Sequence, residues 1–222
     1  MKNTFKILHL YHDLMNLYGS WANVAVLERE LTVRGSMAVI HKKSVGDEFI
    51  FTDCDFIYIG SGTERSQLAC LRDLSQYKDA LIEQIEADVP VLATGNSHEL
   101  FGKTITDAAG DCHTALGLLS FETIQQNTRV TGDCVYTESF TPNSSQETLT
   151  GFINRAGGDQ TGDIKRPFCI VPKEGANYKA ADEGIMYKNL LGTYMTGPIL
   201  VSNPELLNHF ADLVTGACNR ND

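Results

Sequence analysis

Short apolar runs alternate with longer amphipathic stretches over the first hundred residues, a pattern that builds a parallel sheet covered by helices on both faces. Residues 5–10 and 37–41 predict the first two strands. Between them Trp21, Val24, Ala25, Leu27 and Leu31 recur at helical spacing, and Arg34-Gly35 supplies a basic last turn and a stop. Together they make a βαβ unit. A third strand is expected at 55–59, running into Gly60-Ser61-Gly62, and 66–87 carries Leu68, Leu71, Leu74, Leu81, Ile82 and Ile85 as the apolar side of one or two helices. Residues 90–94 read as a short buried strand ending in Gly95-Asn96-Ser97, with Leu100-Phe101-Gly102 as the first turns of a helix and its end. A strand, a sharp turn and a helix in that order mark the place where open α/β sheets put ligands.

The second half is less helical. Strands are predicted at 129–136, 148–153, 168–172, 184–188 and 190–194, with polar loops rich in Gly, Asn, Asp and Gln between them. The stretch 155–167 predicts a mobile loop. A closing helix runs from Asn203 to Val214, with Asn203 as its cap and Pro204 at the first helical position. No internal repeat is visible, and 222 residues suit one domain over 1–222.

Charge and cysteine usage narrow the classes. A net charge of -10 argues against a surface that neutralises phosphates, so nucleic acid is not an expected partner. The N-terminus has only a short apolar run before Tyr11, His12 and Asp13, too little for a signal peptide or membrane insertion, and the expected location is cytoplasmic. Six cysteines (54, 70, 112, 134, 169, 218) are dispersed without a Cys-x-x-Cys pair, which suggests reduced, mostly buried thiols. The six histidines lack metal-ligand spacing, so neither a metal nor another cofactor is expected.

The segment Leu8-His-Leu-Tyr-His-Asp-Leu-Met-Asn-Leu-Tyr-Gly19, followed by Asn23, resembles the opening of the cobyric-acid-synthase-like class I glutamine amidotransferases. Three further segments agree in order: Ile57-Tyr-Ile-Gly60-Ser-Gly62 with Glu64-Arg65 and Gln67, then 91–102, then Gly192-Thr-Tyr-Met-Thr-Gly-Pro198 leading to Asn203-Pro-Glu-Leu206. Within that family the chain looks most like the glutaminase subunit of lipid II isoglutaminyl synthase. The resemblance spans nearly the whole chain and implies a flavodoxin-like α/β fold, a central, mostly parallel sheet with helices on both faces.

The chemistry of that family needs a cysteine thiolate to attack the glutamine amide and a histidine to manage the proton of the departing ammonia. At the matching positions this chain carries Gly95 and Thr196. The resemblance further implies a polar pocket of backbone amides at Gly60, Ser61, Gly62 and Asn96, able to stabilise an oxyanion in relatives. It also implies that Arg129 holds the charged end of an amino acid, because a guanidinium fork matches two carboxylate oxygens. Asn154 is kept from a family Glu-Asn-His segment, whose histidine is here Arg155. The expectation is a degenerate glutaminase that binds an amino-acid or amide ligand, or a Mur-ligase-like, ATP-using partner subunit. Two alternatives stay open: a hydrolase using Ser97, Thr94 or Thr196, and an active-site variant of a working glutaminase that Gly95→Cys with Thr196→His would restore. Gly95-Asn96-Ser97 begins like a serine-hydrolase elbow, but Glu99 stands where its second glycine should be.

Overall fold

The computed structural model describes residues 3–48, 50–138 and 148–216. Cys218 lies outside the described residues; of the other five cysteines, Cys54, Cys70 and Cys134 are buried and Cys112 and Cys169 exposed, and none of these five forms a disulfide among the described residues. In chain order the elements are β1 (Thr4–Leu10), α1 (Ala22–Val33), β2 (Met37–Lys43), β3 (Phe56–Ile59), α2 (Glu64–Leu74), α3 (Lys78–Glu86) and β4 (Val91–Thr94). A 3-10 turn at Gly95–Phe101 leads to β5 (Thr104–Thr106), β6 (Cys112–Thr114), β7 (Phe121–Glu138), β8 (Thr148–Gly162), β9 (Phe168–Pro172) and β10 (Ala181–Glu183). The chain ends through β11 (Ile185–Tyr187), β12 (Leu190–Thr193), α4 (Ile199–Ser202) and α5 (Pro204–Thr215).

The first sheet has the order β11-β12-β4-β3-β1-β2 and is parallel except for β11. Its five parallel strands follow the flavodoxin-like order, second, first, third, fourth, fifth. Side chains alternate across it because successive residues of a strand face opposite ways. Phe5, Ile7, Phe56, Tyr58 and Leu92 share a core with Val24, Leu27, Leu31 and Phe210, on the face that carries α1 and α5. Leu8, Leu10, Ile57, Ile59, Val91 and Ala93 face the other way, onto Leu71, Leu74, Leu81 and Ile85 from α2 and α3. Strands β3, β4 and β12 are buried at every position, as a strand covered on both faces must be, whereas β2 at the edge alternates.

Strands β5 to β10 form a sheet of their own, built around β7, which pairs antiparallel with β8 along one side and, on the other, parallel with β5 and antiparallel with β9. It joins the first through a bridge between Ile153 and Met195 and through a shared core containing Tyr136, Ile153, Phe168 and Met195.

Four local expectations need correction. Residues 155–162 are not a loop but the second half of β8, where Arg155 to Gly162 pair with Val130 back to Phe121. That pairing comes from a strand distant in sequence, which local composition does not reveal. Residues 95–101 form a 3-10 turn rather than the start of an α-helix. Ser97 Oγ donates to Thr94 O at 2.9 Å and His98 Nδ1 meets Gly95 O at 2.8 Å, so side chains take up carbonyls at the turn itself. Trp21 precedes α1 and is 56% exposed, leaving the buried stripe to start with Asn23 and Val24. Asn203 sits at the cap of α5 without capping it; its amide instead receives Thr150 N at 2.8 Å and donates to Thr150 O at 3.0 Å and Ile199 O at 2.7 Å, tying β8 to the last corner. Pro204 does open α5.

Candidate functional site

The site lies at the carboxyl ends of β3, β4 and β12, where the segments that follow each strand converge. Gly95, the first residue after β4, has a φ of 64°, a left-handed conformation in which a side chain is strained. Its N–H donates to Met195 O at 2.9 Å, so Thr196 is held beside the turn. The two positions that the resemblance paired are therefore brought together. Thr196 is buried and its hydroxyl donates to Phe152 O at 3.2 Å.

Space at the turn is taken. A Cβ built on Gly95 falls 2.5 Å from Ser61 Cβ and closer still to Ser61 Oγ, well inside van der Waals contact. Gly60, one residue earlier, has no room for a side chain either, because a Cβ there meets Met15 O and lies 2.9 Å from Ser20 Cβ. The expected pocket of backbone amides is also partly filled from within. Gly62 N–H donates to Asn96 Oδ1 at 3.1 Å, and Asn96 O accepts from Gln67 Nε2 at 2.6 Å. Asn96 Nδ2 is buried without a partner among the described residues.

Ser97 and His98 do not form a catalytic pair. Ser97 Oγ is fully buried between Ile59 O at 3.0 Å and Thr94 O at 2.9 Å. His98 is held by Gly95 O and by Gln160 Nε2 at 3.1 Å, with its ring edge against Tyr194. The amide of Gln160 donates, so Nε2 of His98 accepts and its proton sits on Nδ1. Burial pushes His98 down to about 3, which keeps it neutral. Glu99 is likewise structural: it receives Gln67 at 2.7 Å, Gln125 at 2.8 Å and Tyr194 OH at 2.7 Å, and burial raises its pKa despite those donors.

Arg129 occupies a different wall. The β7–β8 register skips Asn127 and Thr128 just before it, an irregularity that re-aims the strand. Arg129 ion-pairs with Glu64 at the start of α2, and its Nε and Nη2 reach Asn154 Oδ1 at 3.1 and 2.8 Å. Asn154 Nδ2 continues the chain to Tyr18 OH at 2.8 Å. Arg129, Asn154, Glu64, Tyr18 and Gly62 line a cavity of about 450 Å³, open to solvent. The carboxylate that Arg129 holds here is thus the protein's own. Tyr18, with a φ of 60°, also lines a second hollow of about 440 Å³ that reaches Thr196 and Pro198. Neither Tyr18 nor the Glu64 contact was singled out from sequence, though both residues stand inside the segments that carried the resemblance.

Asn23, quoted among those segments, proves to be a staple. Its amide donates to Tyr58 OH at 2.8 Å and Gly197 O at 2.9 Å and accepts from Leu200 N at 2.9 Å, fixing the loop after β12 over the sheet.

Comparison with known proteins agrees with this architecture. The chain is 34% identical over 214 residues to the lipid II isoglutaminyl synthase (glutamine-hydrolyzing) subunit GatD of Staphylococcus aureus strain N315, a match covering 96% of this chain and 84% of that one. It is 32% identical over 203 residues to the subunit of the same name from Streptococcus pneumoniae strain ATCC BAA-255 / R6, covering 90% of this chain and 76% of that one. A crystal structure of glutamine amidotransferase shares the fold with a TM-score of 0.55 at 13% identity, covering 94% of this chain and 98% of that one. Residues 6–204 match the CobB/CobQ-like glutamine amidotransferase domain, and the chain belongs to that family.

Proposed function

We propose that this chain is a catalytically degenerate glutaminase-type subunit, which keeps the ligand pocket of its family and does not release ammonia. The observation that carries the reading is the pairing of Gly95 with Ser61. A nucleophile's side chain is absent, and the volume it would need is filled by a neighbouring side chain. Thr196 beside it has no ionisable group to move a proton. Removing one member of such a catalytic unit costs about a million-fold in rate, and both positions differ here.

The ligand we assign to the Arg129 cavity is an amino acid or its amide, bound through its carboxylate. Arg129 is available for exchange, since an exposed pair such as Arg129–Glu64 contributes only about 0–1 kcal/mol and an incoming carboxylate replaces like with like. Both curated relatives are named as subunits, which supports a partner; we assign to it the Mur-ligase-like, ATP-using type. No helix among the described residues is long and apolar enough to cross a membrane.

Calorimetric titration with glutamine, glutamate and their D-enantiomers, with ammonia assayed on the same samples, tests the reading. Saturable binding that Arg129→Ala abolishes, without ammonia above a heat-inactivated control, is the expected outcome. Ammonia release by the native chain overturns it. Gly95→Cys with Thr196→His is expected to stay inactive until Ser61→Gly is added to make room.

A further inference from the structure

Successive residues of β8 face opposite ways, so Arg155 points away from the cavity that Asn154 lines. On that opposite side a separate cavity of about 280 Å³ opens between β8, β9 and β10. Arg155, Arg166 and Lys179 line it, with Glu183, Asp182 and Tyr194. Three cations in one small hollow stand out in a chain whose net charge is -10.

The two guanidiniums are fixed by neutral acceptors, and the buried Glu183 attracts both without an ion pair to either. Arg155 lies with its guanidinium carbon 4.3 Å from the centre of the Tyr194 ring, and its Nη1 donates to Ala156 O at 2.8 Å and Gly158 O at 3.3 Å. Arg166 gives Nη1 to Gln160 Oε1 at 2.8 Å and Gly184 O at 3.3 Å, and Nη2 to Gln160 O at 3.2 Å. Every one of those acceptors is neutral. Among the described residues neither arginine forms an ion pair. Glu183, the buried acid of the cavity, is engaged elsewhere, by Thr193 Oγ1 at 3.0 Å and the Tyr194 N–H. Nε and Nη2 of Arg155 and Nε of Arg166 therefore keep donors without a protein acceptor among the described residues. Guanidinium groups that are held by neutral anchors, one of them over an aromatic ring, and that line an open volume suit oxygen-rich anions.

We propose that this cavity is a second binding site, for a small oxyanion, a carboxylate or a phosphate held between Arg155 and Arg166 with Lys179 at its rim. The rival role for these arginines is to offset the buried charge of Glu183, and that role needs no ligand. Titration of the whole chain by calorimetry, with inorganic phosphate and separately with succinate at ionic strength held constant by KCl, separates the two. The expected result is saturable binding of at least one anion, weakened about tenfold or more by Arg166→Gln, as loss of a charge-assisted hydrogen bond implies. Arg129→Gln, in the other cavity, leaves the Arg166-dependent binding intact, and any succinate heat that it removes belongs to that other cavity. Lys179→Gln, at an exposed position, serves where Arg166→Gln does not fold and is expected to weaken binding severalfold. The relative strength of phosphate and succinate assigns the anion. No saturable heat with either anion, or unchanged affinity in the folded variants, overturns the proposal.

Discussion

Gly95 and Ser61 behave as one unit, because a side chain at position 95 needs both a left-handed backbone and the volume that Ser61 holds. Gly95→Ala is expected to lower stability by about 3 kcal/mol, from backbone strain and overpacking together. In the Ser61→Gly background the cost falls to about 1–2 kcal/mol, the strain alone. Urea denaturation of the double-mutant cycle reads the difference, and strictly additive effects would show that the two positions do not share space. Buried ionisable groups give a second prediction. Burial pushes Glu183 up to about 7 from 4.5, against the opposing pull of its hydrogen bonds and of Arg155 and Arg166. Between those values the folded chain keeps a proton that the unfolded chain has lost, so this group's contribution falls as pH rises. His98 and His9, pushed by burial down to about 3 and about 4 from 6.5, act in the other direction. There the unfolded chain holds the protons, and stability is lost as pH drops below 6.5. Glu183→Gln removes only the first effect. Its melting temperature relative to wild type is expected to rise from about pH 5 to about pH 7.5. A pH-independent difference would mean that Glu183 ionises as an ordinary carboxylate.

Two elements meet where Arg129 of β7 holds Glu64 of α2, and a carboxylate ligand of the proposed kind has to displace that contact. Glu64→Gln removes the internal carboxylate and is expected to tighten glutamate binding by up to about fivefold, the range that a surface ion pair allows. Weaker binding in that variant would place Glu64 among the ligand's own contacts. At the other end of the sheets, Asn203 joins β8 to the α4–α5 corner through both edges of Thr150. Asn203→Ala leaves those backbone groups without their partner at a cost of about 2 kcal/mol, measurable as a lowered urea midpoint with an unchanged slope. The placing of Asn203 at the start of α5 was legible in the sequence, since Pro204 marks a first helical turn. Its actual bonds were not, because a strand more than fifty residues away supplies them.

Across the molecule, the strands buried on both faces should be the last to open. Amides of β3, β4 and β12 are expected to exchange with solvent more slowly than those of the edge strand β2, and comparable rates would argue against the strand order. Much of the first sheet was readable from apolar runs, because β1, β3 and β4 bury every second residue or all of them and leave a periodic trace. The second sheet was only partly readable. Its long hairpin continues through Arg155-Ala-Gly-Gly-Asp-Gln-Thr-Gly162, whose composition is that of a loop and whose order comes from the ladder with β7. Residue identity and local period were enough to reveal the family resemblance and the helix-covered parallel sheet, and to put Gly95 and Thr196 at the positions that the resemblance pairs. Three-dimensional folding alone shows that Ser61 fills the space at Gly95, that Glu64 satisfies Arg129, and that Arg155 and Arg166 share a cavity away from both. Those facts depend on which distant side chains share a volume or a charge, and no local pattern of residues records that.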